Sequence, residues 1–433
     1  MNIDMIRRII SVILILLMLG ICIFNGKNKD FQYSFEPEVS TIEEAEVESI
    51  DEAETTEEEL QESESSDEGL QEPESCDNEL QKTEGGDEEV QEVEVQEVVQ
   101  KPTISTKVKG LYVTGPIAGT ERFAQIEELV NTTELNTMVI DIKNDEGILT
   151  YDIDINDVRD MEASIKYVKD MPGLIDRLHS ENIYVIGRIV CFKDPILAEF
   201  KPELALKTPD GRAVMDANGL AWVNPYKEEV WDYLCTIAEQ ASLDGFDEIQ
   251  FDYVRFPIGE DANSADYGVD LQEIPRQQGL TGFFEYAAER LHSSGIIYGA
   301  DLFGTVIGSD VDRDRTGQDY ENIACICDNV CPMVYPSHYA GGTFGLEVPD
   351  AHPYETVFQA MSKSAEVIGE DNKDLVVVRP WLQCFNAVWV PGHITYDSNQ
   401  IKEQIQAVYD AGYDEWILWN ASNHYDQVFN ALN

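Results

Sequence analysis

Two aspartates stand near the ends of predicted strands, where they could act together on a substrate. Asp252 lies in the stretch GFDEIQFDYVRFP, residues 245–257, and Asp301 lies in YGADLFG. Two carboxyl groups facing one cavity are the minimum for glycoside hydrolysis, in which one protonates the leaving oxygen and the other attacks or activates water. Arg255 or Arg188 could keep one of them ionised. The alternative interpretation is a structural ion pair between Asp252 and Arg255.

Alternation along the strands predicts which side chains share the cavity with these aspartates. In residues 248–254, Ile249, Phe251 and Tyr253 occupy one face, whereas Gln250 and Asp252 occupy the other. We expect the apolar face to contact helices and the polar face to point inward. The same pattern, together with the residues at strand ends and in long loops, gives a set of candidate substrate-binding side chains: Asp141, Lys143, Arg188, Arg255, Tyr335, His338, Trp381, Gln383 and Trp419.

Short β-rich runs alternate with longer helical patterns over residues 101–433, and eight such units can be counted. The predicted strands are 110–115, 136–143, 183–192, 248–256, 296–304, 330–336, 375–385 and 415–422. Eight strand-helix units in a domain of this size predict a single (β/α)8 TIM barrel, with the candidate residues at its carboxyl-terminal face. An open doubly wound sheet is the alternative, but TGPIAGTERF after the first strand lacks the glycine-rich phosphate fingerprint.

Charge and apolarity divide the chain into three parts. Residues 1–30 contain sixteen uncharged residues, Ile9 to Phe24, which predict a signal anchor; a cleaved signal peptide and a lipidated Cys22 are the alternatives. Residues 31–100 carry 27 acidic residues against one lysine, so we expect a disordered acidic stalk. This organisation predicts a cell-membrane protein, single-pass or lipid-anchored, with an extracytoplasmic domain.

The chain has a formal net charge of −55, which makes nucleic acid an improbable partner. No cofactor or metal is predicted. The loop from Ser309 to Glu321 spaces its acidic residues like a calcium loop, but Arg315 stands where the tight turn needs glycine, so we expect Asp319 to cap a helix instead. The cluster Cys325, Cys327 and Cys331 lacks zinc spacing and indicates buried thiols or one disulfide.

Longer motifs connect the domain to a known family. VKGLYVTG, NTMVIDIKNDEG, FDEIQFDYVRFP, YGADLFG, CPMVYPSHYAGGTFGLEVPDAHPYETV and RPWLQCF occur in order from about residue 108. Together they resemble a family of exported bacterial proteins classed as glycoside hydrolases of TIM-barrel fold. The resemblance implies an acid at the end of strand four, which is Asp252 here. The second position is Asp301, where barrel hydrolases commonly carry Glu.

Two functions of different classes are compatible with these patterns. The first is a membrane-tethered glycoside hydrolase that acts on a neutral or amino-sugar polysaccharide or cell-wall glycan, with Asp252 and Asp301 as catalytic residues. The second is an inactive barrel that binds glycan or serves as a cell-surface scaffold. Both predict saccharide binding, so only turnover separates them.

Overall fold

Nine parallel strands close into a barrel in the computed structural model, which describes residues 101–433 except 374. The strands are β1 Lys109–Val113, β2 Thr137–Lys143, β3 Tyr184–Val190, β4 Glu248–Asp252, β5 Ile297–Phe303, β6 Asn329–Met333, β7 Val377–Val378, β8 Trp381–Gln383 and β9 Trp416–Trp419. Neighbours pair in sequence order, and β9 pairs with β1 to close the ring. Both β7 and β8 pair with β6, so the two short strands share one of eight positions.

The break between β7 and β8 falls at Arg379 and Pro380. Proline has no N–H to donate to a strand ladder, so the predicted strand 375–385 is interrupted there. The chain resumes pairing at Trp381, opposite Met333 of β6 and Ile417 of β9. The (β/α)8 prediction is therefore confirmed for the domain, with one of its eight strands in two pieces.

Thirteen helices lie within the described residues, and the longer ones connect successive strands. They are α1 Gly115–Ala118, α2 Phe123–Asn131, α3 Asn156–Asp160, α4 Met171–Ser180, α5 Pro195–Phe200, α6 Glu228–Leu243, α7 Glu260–Asn263, α8 Arg276–Ser293, α9 Asp310–Thr316, α10 Tyr320–Ile326, α11 Pro353–Asn372, α12 Ser398–Asp410 and α13 Val428–Leu432. Side-chain caps fix several starts: the carboxylate of Asp194 accepts from the N–H of Leu197 at 2.9 Å, with Pro195 in the first turn of α5.

The strand faces follow the predicted alternation. Ile249 and Phe251 belong to the large apolar cluster between barrel and helices, where the Phe251 ring lies 5.4 Å from that of Phe283 on α8. A second, smaller cluster fills part of the barrel interior and includes Val139, Ile186, Cys331, Trp381 and Ile417. The inward faces of the strands thus combine apolar residues with the polar residues considered below.

A buried ion network occupies the barrel interior near the amino-terminal ends of the strands. The Arg379 guanidinium contacts Glu248 Oε1 at 2.6 Å and Glu415 Oε2 at 2.7 Å, and all three side chains are almost completely buried. Asn329 donates to Glu248 Oε1 at 3.0 Å. These partners indicate that Arg379 supports the structure of the barrel.

The loop that resembled a calcium site is mostly helical. Ser309 caps α9, which contains Asp310, and Asp319 caps α10 by accepting from the N–H of Asn322, so the predicted helix cap is confirmed. Across the part of the chain that the structure describes, no group of three His, Cys, Asp or Glu side chains is arranged for a metal ion.

Five of the described cysteines are buried free thiols: Cys191, Cys235, Cys327, Cys331 and Cys384. In the predicted cluster, the buried-thiol alternative is therefore confirmed for Cys327 and Cys331, whereas Cys325 is half-buried. Burial raises the pKa of Cys331 well above its ordinary value, because the thiolate would be poorly solvated inside the barrel.

The anchor predicted at 1–30 and the acidic stalk predicted at 31–100 lie outside the described residues. Among the helices of residues 101–433, none is long and apolar enough to cross a membrane.

Candidate active site

Asp252 is the last residue of β4 and holds the centre of a buried hydrogen-bond network. The strand ends there because the next residue, Tyr253, adopts the left-handed conformation with φ 48°. Asp252 Oδ2 accepts from Arg188 Nη2 at 2.6 Å and from Arg188 Nε at 2.9 Å, and Oδ1 accepts from the Tyr253 N–H at 2.6 Å. Two nitrogens of one guanidinium therefore donate to a single oxygen of this carboxyl group.

Arg188 is itself fixed from two sides. Its Nη1 donates to Asp141 Oδ1 at 2.6 Å, and the Tyr112 hydroxyl donates to Asp141 Oδ2 at 2.6 Å. The Tyr112 and Trp419 rings stack at 4.1 Å, and each has a centroid within 5.4 Å of the Arg188 guanidinium carbon. Burial raises the pKa of Asp141, while Arg188 and Tyr112 act in the opposite direction. The chain Tyr112–Asp141–Arg188 therefore orients the group that holds Asp252.

Asp301 lies on β5 beside Asp252 but in a different environment. Its Oδ1 accepts from Gln250 Nε2 at 2.6 Å and from Trp381 Nε1 at 2.6 Å. Its Oδ2 is buried and has no hydrogen-bond partner among the described residues. Burial, with the nearby charge of Asp252 as the second cause, raises the pKa of Asp301 well above its ordinary value. The hydrogen bonds from Trp381 and Gln250 and the charge of Arg188 oppose this rise without reversing it.

The strand register makes the two carboxyl groups neighbours. Phe251 pairs with Ala300 in the β4–β5 ladder, and Asp252 and Asp301 are the next residues on the two strands. Adjacent strands lie about 4.8 Å apart, and residues at equivalent positions of parallel strands point to the same face. Two adjacent carboxyl groups, one paired with an arginine and one favoured as the neutral acid, can divide the roles of base or nucleophile and acid.

Lys143 does not join this network, although alternation predicted that it would. The register shifts between Asp141 and Lys143, so Lys143 pairs with Ile189 and the regular alternation is lost at the end of β2. Its ammonium contacts Asp194 Oδ2 at 2.9 Å and donates to the Val190 carbonyl at 2.7 Å. The structure therefore places this lysine at the loop before α5.

Arg255 occupies a buried aromatic pocket beyond the turn at Tyr253. Its guanidinium carbon lies 4.8 Å from the ring centres of both Trp222 and Phe303, and its Nη1 donates to the Phe256 carbonyl at 3.1 Å. Of the two candidate arginines for Asp252, the contact with Arg188 is confirmed. Cation–π contacts with these rings contribute to holding Arg255 in its position.

The remaining candidates line or support the mouth of the barrel. Gln383 is fully buried; its Nε2 donates to Asp350 Oδ1 at 2.9 Å, and its Oε1 accepts from the Ser337 N–H at 3.0 Å. It therefore ties two loops together. His338 is exposed, and its ring lies 5.1 Å from that of the buried Tyr335. These two rings lie just beyond the carboxyl end of β6, and the half-buried Trp419 is the last residue of β9.

Two residues of the network were absent from the predicted set. Gln250 shares the inward face of β4 with Asp252, so the alternation that identified Asp252 also indicates Gln250. Tyr112 is at the inward position of GLYVTG, and the pairing of β1 with β2 brings it to Asp141. Of the predicted set, the structure brings together Asp141, Arg188, Asp252, Asp301, Trp381 and Trp419.

Several solved structures are similar to this chain. A protein from Ruminiclostridium thermocellum is 40% identical over 44% of this chain and 96% of its own, with a TM-score of 0.41. The PgaB (BpsB) glycoside hydrolase domain from Bordetella bronchiseptica is 11% identical over 76% of this chain and 99% of its own, with a TM-score of 0.53. Alpha-L-fucosidase isoenzyme 2 from Paenibacillus thiaminolyticus is 12% identical over 76% and 48%, with a TM-score of 0.51. The last two likenesses show the fold alone.

The family itself is identified from sequence. No protein with a curated description matches this chain. A family model described as "Putative glycosyl hydrolase domain" matches residues 110–425, from the first strand of the barrel to just before its last helix. That range contains every residue of the hydrogen-bond network around Asp252 and Asp301. The chain therefore belongs to the putative glycosyl hydrolase domain family.

Proposed function

We propose that this barrel hydrolyses glycosidic bonds with Asp301 as general acid and Asp252 as nucleophile or general base. The observation that carries the proposal is the contrast between two adjacent carboxyl groups. Arg188 binds Asp252 through two nitrogens, whereas burial and the charge of Asp252 favour the neutral form of Asp301. Such divergent environments are the physical basis for assigning an acid and a base.

The hydrogen bonds of Asp301 also fix where its proton lies. Gln250 and Trp381 both donate to Oδ1, so the acid proton belongs on Oδ2, which is buried and without a partner among the described residues. In this proposal the proton on Oδ2 is the one transferred to the glycosidic oxygen, and the substrate must displace the side chains that cover Oδ2 to reach it. Proton donation to the leaving oxygen would then accompany cleavage of its bond to the anomeric carbon.

Asp252 completes the reaction in either of two ways. As a nucleophile it bonds to the anomeric carbon, and Asp301, now deprotonated, removes a proton from the water that releases the sugar. As a general base it removes a proton from water that attacks directly. Arg188 orients the carboxylate in both cases, and Asp141 and Tyr112 orient Arg188. The anomer released first, followed by NMR, distinguishes retention from inversion.

The proposed substrate is a polysaccharide or cell-wall glycan of neutral or amino sugars. Residues 101–433 contain 55 acidic and 24 basic residues, a balance that repels anionic polymers and makes nucleic acid an unsuitable partner. The exposed His338 and the half-buried Trp419 offer ring surfaces to a sugar at the end of the barrel where the strands end.

We further propose that residues 1–30 tether the protein to the cell membrane and that residues 31–100 hold the barrel at a distance on the outer side. The apolar run from Ile9 to Phe24 and the 27 acidic residues that follow support this arrangement. Fractionation tests it: the full chain should sediment with membranes, and protease added to intact cells should release the barrel. Recovery of the barrel only after lysis would contradict the proposed location.

An inactive glycan-binding barrel is the second candidate. The observation in its favour is the depth of the acid pair, since Asp252 is 6% exposed and Asp301 only 1%. A network so enclosed also suits a purely structural role, in which Asp141, Arg188 and Asp252 stabilise the barrel.

Turnover on a panel of polysaccharides separates the two functions. We expect the full chain to release reducing ends, and Asp252→Asn and Asp301→Asn to abolish the release while the melting temperature stays within a few degrees. Asp328→Asn is the matched control, because Asp328 is a buried carboxylate at the opposite end of β6, bonded to the Tyr298 N–H at 3.0 Å. Binding without turnover would favour the inactive barrel, and full activity in either aspartate variant would refute the assigned roles.

A further inference from the structure

Two aromatic rings lie together on the loop that follows β8, at the face where the strands end. Phe385 and Trp389, here called the aromatic shelf, have ring centroids 6.1 Å apart and an interplanar angle of 21°. Trp389 is 38% exposed, and Phe385 is half-buried. A tryptophan with this much accessible surface beside a second parallel ring forms a flat apolar platform that the folded core does not use.

The loop that carries the shelf is held in place by side-chain hydrogen bonds. Gln383 Nε2 donates to the Phe385 carbonyl at 3.2 Å, and the Tyr396 N–H donates to Asn386 Oδ1 at 2.7 Å. The buried carboxylate of Asp350 accepts from Gln383 and, at 3.1 Å, from the Ile394 N–H. The two rings therefore do not need to be ordered when a ligand binds, which lowers the entropic cost of binding.

The shelf is continuous with the acid pair. Phe385 contacts Tyr335 edge to face, with ring centroids 5.7 Å apart. Tyr335 and Trp381 belong to the apolar cluster inside the barrel, against which Phe385 packs. Trp381 in turn donates to Asp301. The shelf thus packs against the same cluster that contains Trp381, the residue bonded to the proposed catalytic acid.

We propose that the aromatic shelf binds a sugar residue of the substrate chain some distance from the bond that is cleaved. The inference rests on the proposed function and deepens it: the enzyme acts within a chain of β-linked neutral or N-acetylated pyranoses and does not only remove terminal sugars. The equatorial substituents of such sugars leave flat C–H faces, which stack on indole and phenyl rings. Neither shelf ring carries a charge, so this subsite does not select a charged sugar.

Binding to a variant without turnover tests the shelf. In the full chain carrying Asp252→Asn, the probes are disaccharides and hexasaccharides from cellulose, chitin and laminarin, measured by titration calorimetry. Adding Trp389→Ala should weaken binding of the best hexasaccharide about tenfold, or about 1.4 kcal/mol, and leave disaccharide binding within about twofold. Trp389→Phe should retain most of the affinity. Val388→Ala is the control, since Val388 is the adjacent residue, is 72% exposed and adds no ring.

The outcomes separate this inference from the proposed hydrolase. If Trp389→Ala weakens hexasaccharide binding, the shelf is supported. If the wild type also shows no turnover, the hydrolase is refuted while the shelf stands. Turnover by the wild type, with equal effects of Trp389→Ala on short and long probes, would refute the shelf and leave the hydrolase standing. Failure of all three hexasaccharides to bind would also overturn the shelf.

Discussion

Replacing Trp381 with phenylalanine changes one hydrogen bond to the proposed acid and keeps an aromatic ring in place. The indole N–H donates to Asp301 Oδ1 at 2.6 Å and lowers the pKa of Asp301, against the upward effects of burial and Asp252. Trp381→Phe should therefore raise this pKa further. Because the general acid must be protonated, activity falls as pH rises through its pKa, and the basic limb of the profile should move to higher pH.

The size of the shift follows from the difference between two hydrogen bonds. A bond to a charged acceptor contributes about 1.5–3 kcal/mol, and one to a neutral acceptor about 0.5–1.5 kcal/mol. Losing the donor thus disfavours the carboxylate relative to the acid by about 1–1.5 kcal/mol, which is roughly one pKa unit. Gln250 continues to donate to the same oxygen, so the shift should not be much larger.

The assay is the pH dependence of kcat/KM on the substrate found in the polysaccharide panel, because this quantity reports the free enzyme. Trp416→Phe is the matched control, since Trp416 is also buried and its indole N–H donates to Tyr409 at 3.0 Å, outside the carboxyl network. The control should leave the basic limb in place. A basic limb that stays fixed or moves to lower pH in Trp381→Phe, with the fold intact, would refute Asp301 as the acid.

Three further substitutions test the assigned contacts through their effects on the stability of the protein. Arg188→Met should lower the free energy of unfolding by about 3–5 kcal/mol in urea denaturation, because Asp141 and Asp252 remain buried without their cation. Adding Asp252→Asn should restore part of this stability. A loss below about 1 kcal/mol in Arg188→Met would contradict the pairing. Because the pKa of Asp301 is raised in the folded protein, its carboxyl group contributes its full stabilisation at pH values below the ordinary Asp pKa of about 4. This stabilisation is lost as the pH rises through the pKa of Asp301 in the folded protein. As the pH rises, the melting temperature of Asp301→Asn should therefore stay constant where that of the wild type falls. If the two plots of melting temperature against pH ran parallel, they would argue against a raised pKa of Asp301. Lys143→Met should lower the free energy of unfolding by about 3 kcal/mol, because Asp194 would be left buried without its cation. Neither limb of the pH profile of activity should move. A shifted limb would place Lys143 in the active site.

Alternation along a strand predicted much of the site because it depends only on local geometry. Asp252, Arg188 and Asp301 lie on regular stretches of β4, β3 and β5, so their shared inward face follows from counting residues. Lys143 lies where a register shift interrupts β2, and its ammonium is paired with Asp194. Nothing in NTMVIDIKNDEG marks that shift, since it depends on how β2 pairs with β3.

Partners that meet across the barrel could not be predicted in the same way. Arg255 is three residues from Asp252 in the chain, yet the turn at Tyr253 carries it into the pocket of Trp222 and Phe303. The bond from Trp381 to Asp301 joins β8 to β5 and depends on the barrel radius and the stagger of its strands. Nearness in sequence was therefore a weaker guide than position on neighbouring strands.

Two buried cysteines can be used to measure how readily different layers of the barrel open. Cys331 lies inside the barrel beside Asp301 in the β5–β6 ladder, whereas Cys235 is buried on α6 outside it. Only a thiolate reacts with an alkylating reagent, so labelling of either residue waits for an opening that admits water. Labelling rates of the two thiols under native conditions would reveal whether the helical layer detaches before the strands separate or whether both open together. Equal opening free energies would identify the barrel as one cooperative unit.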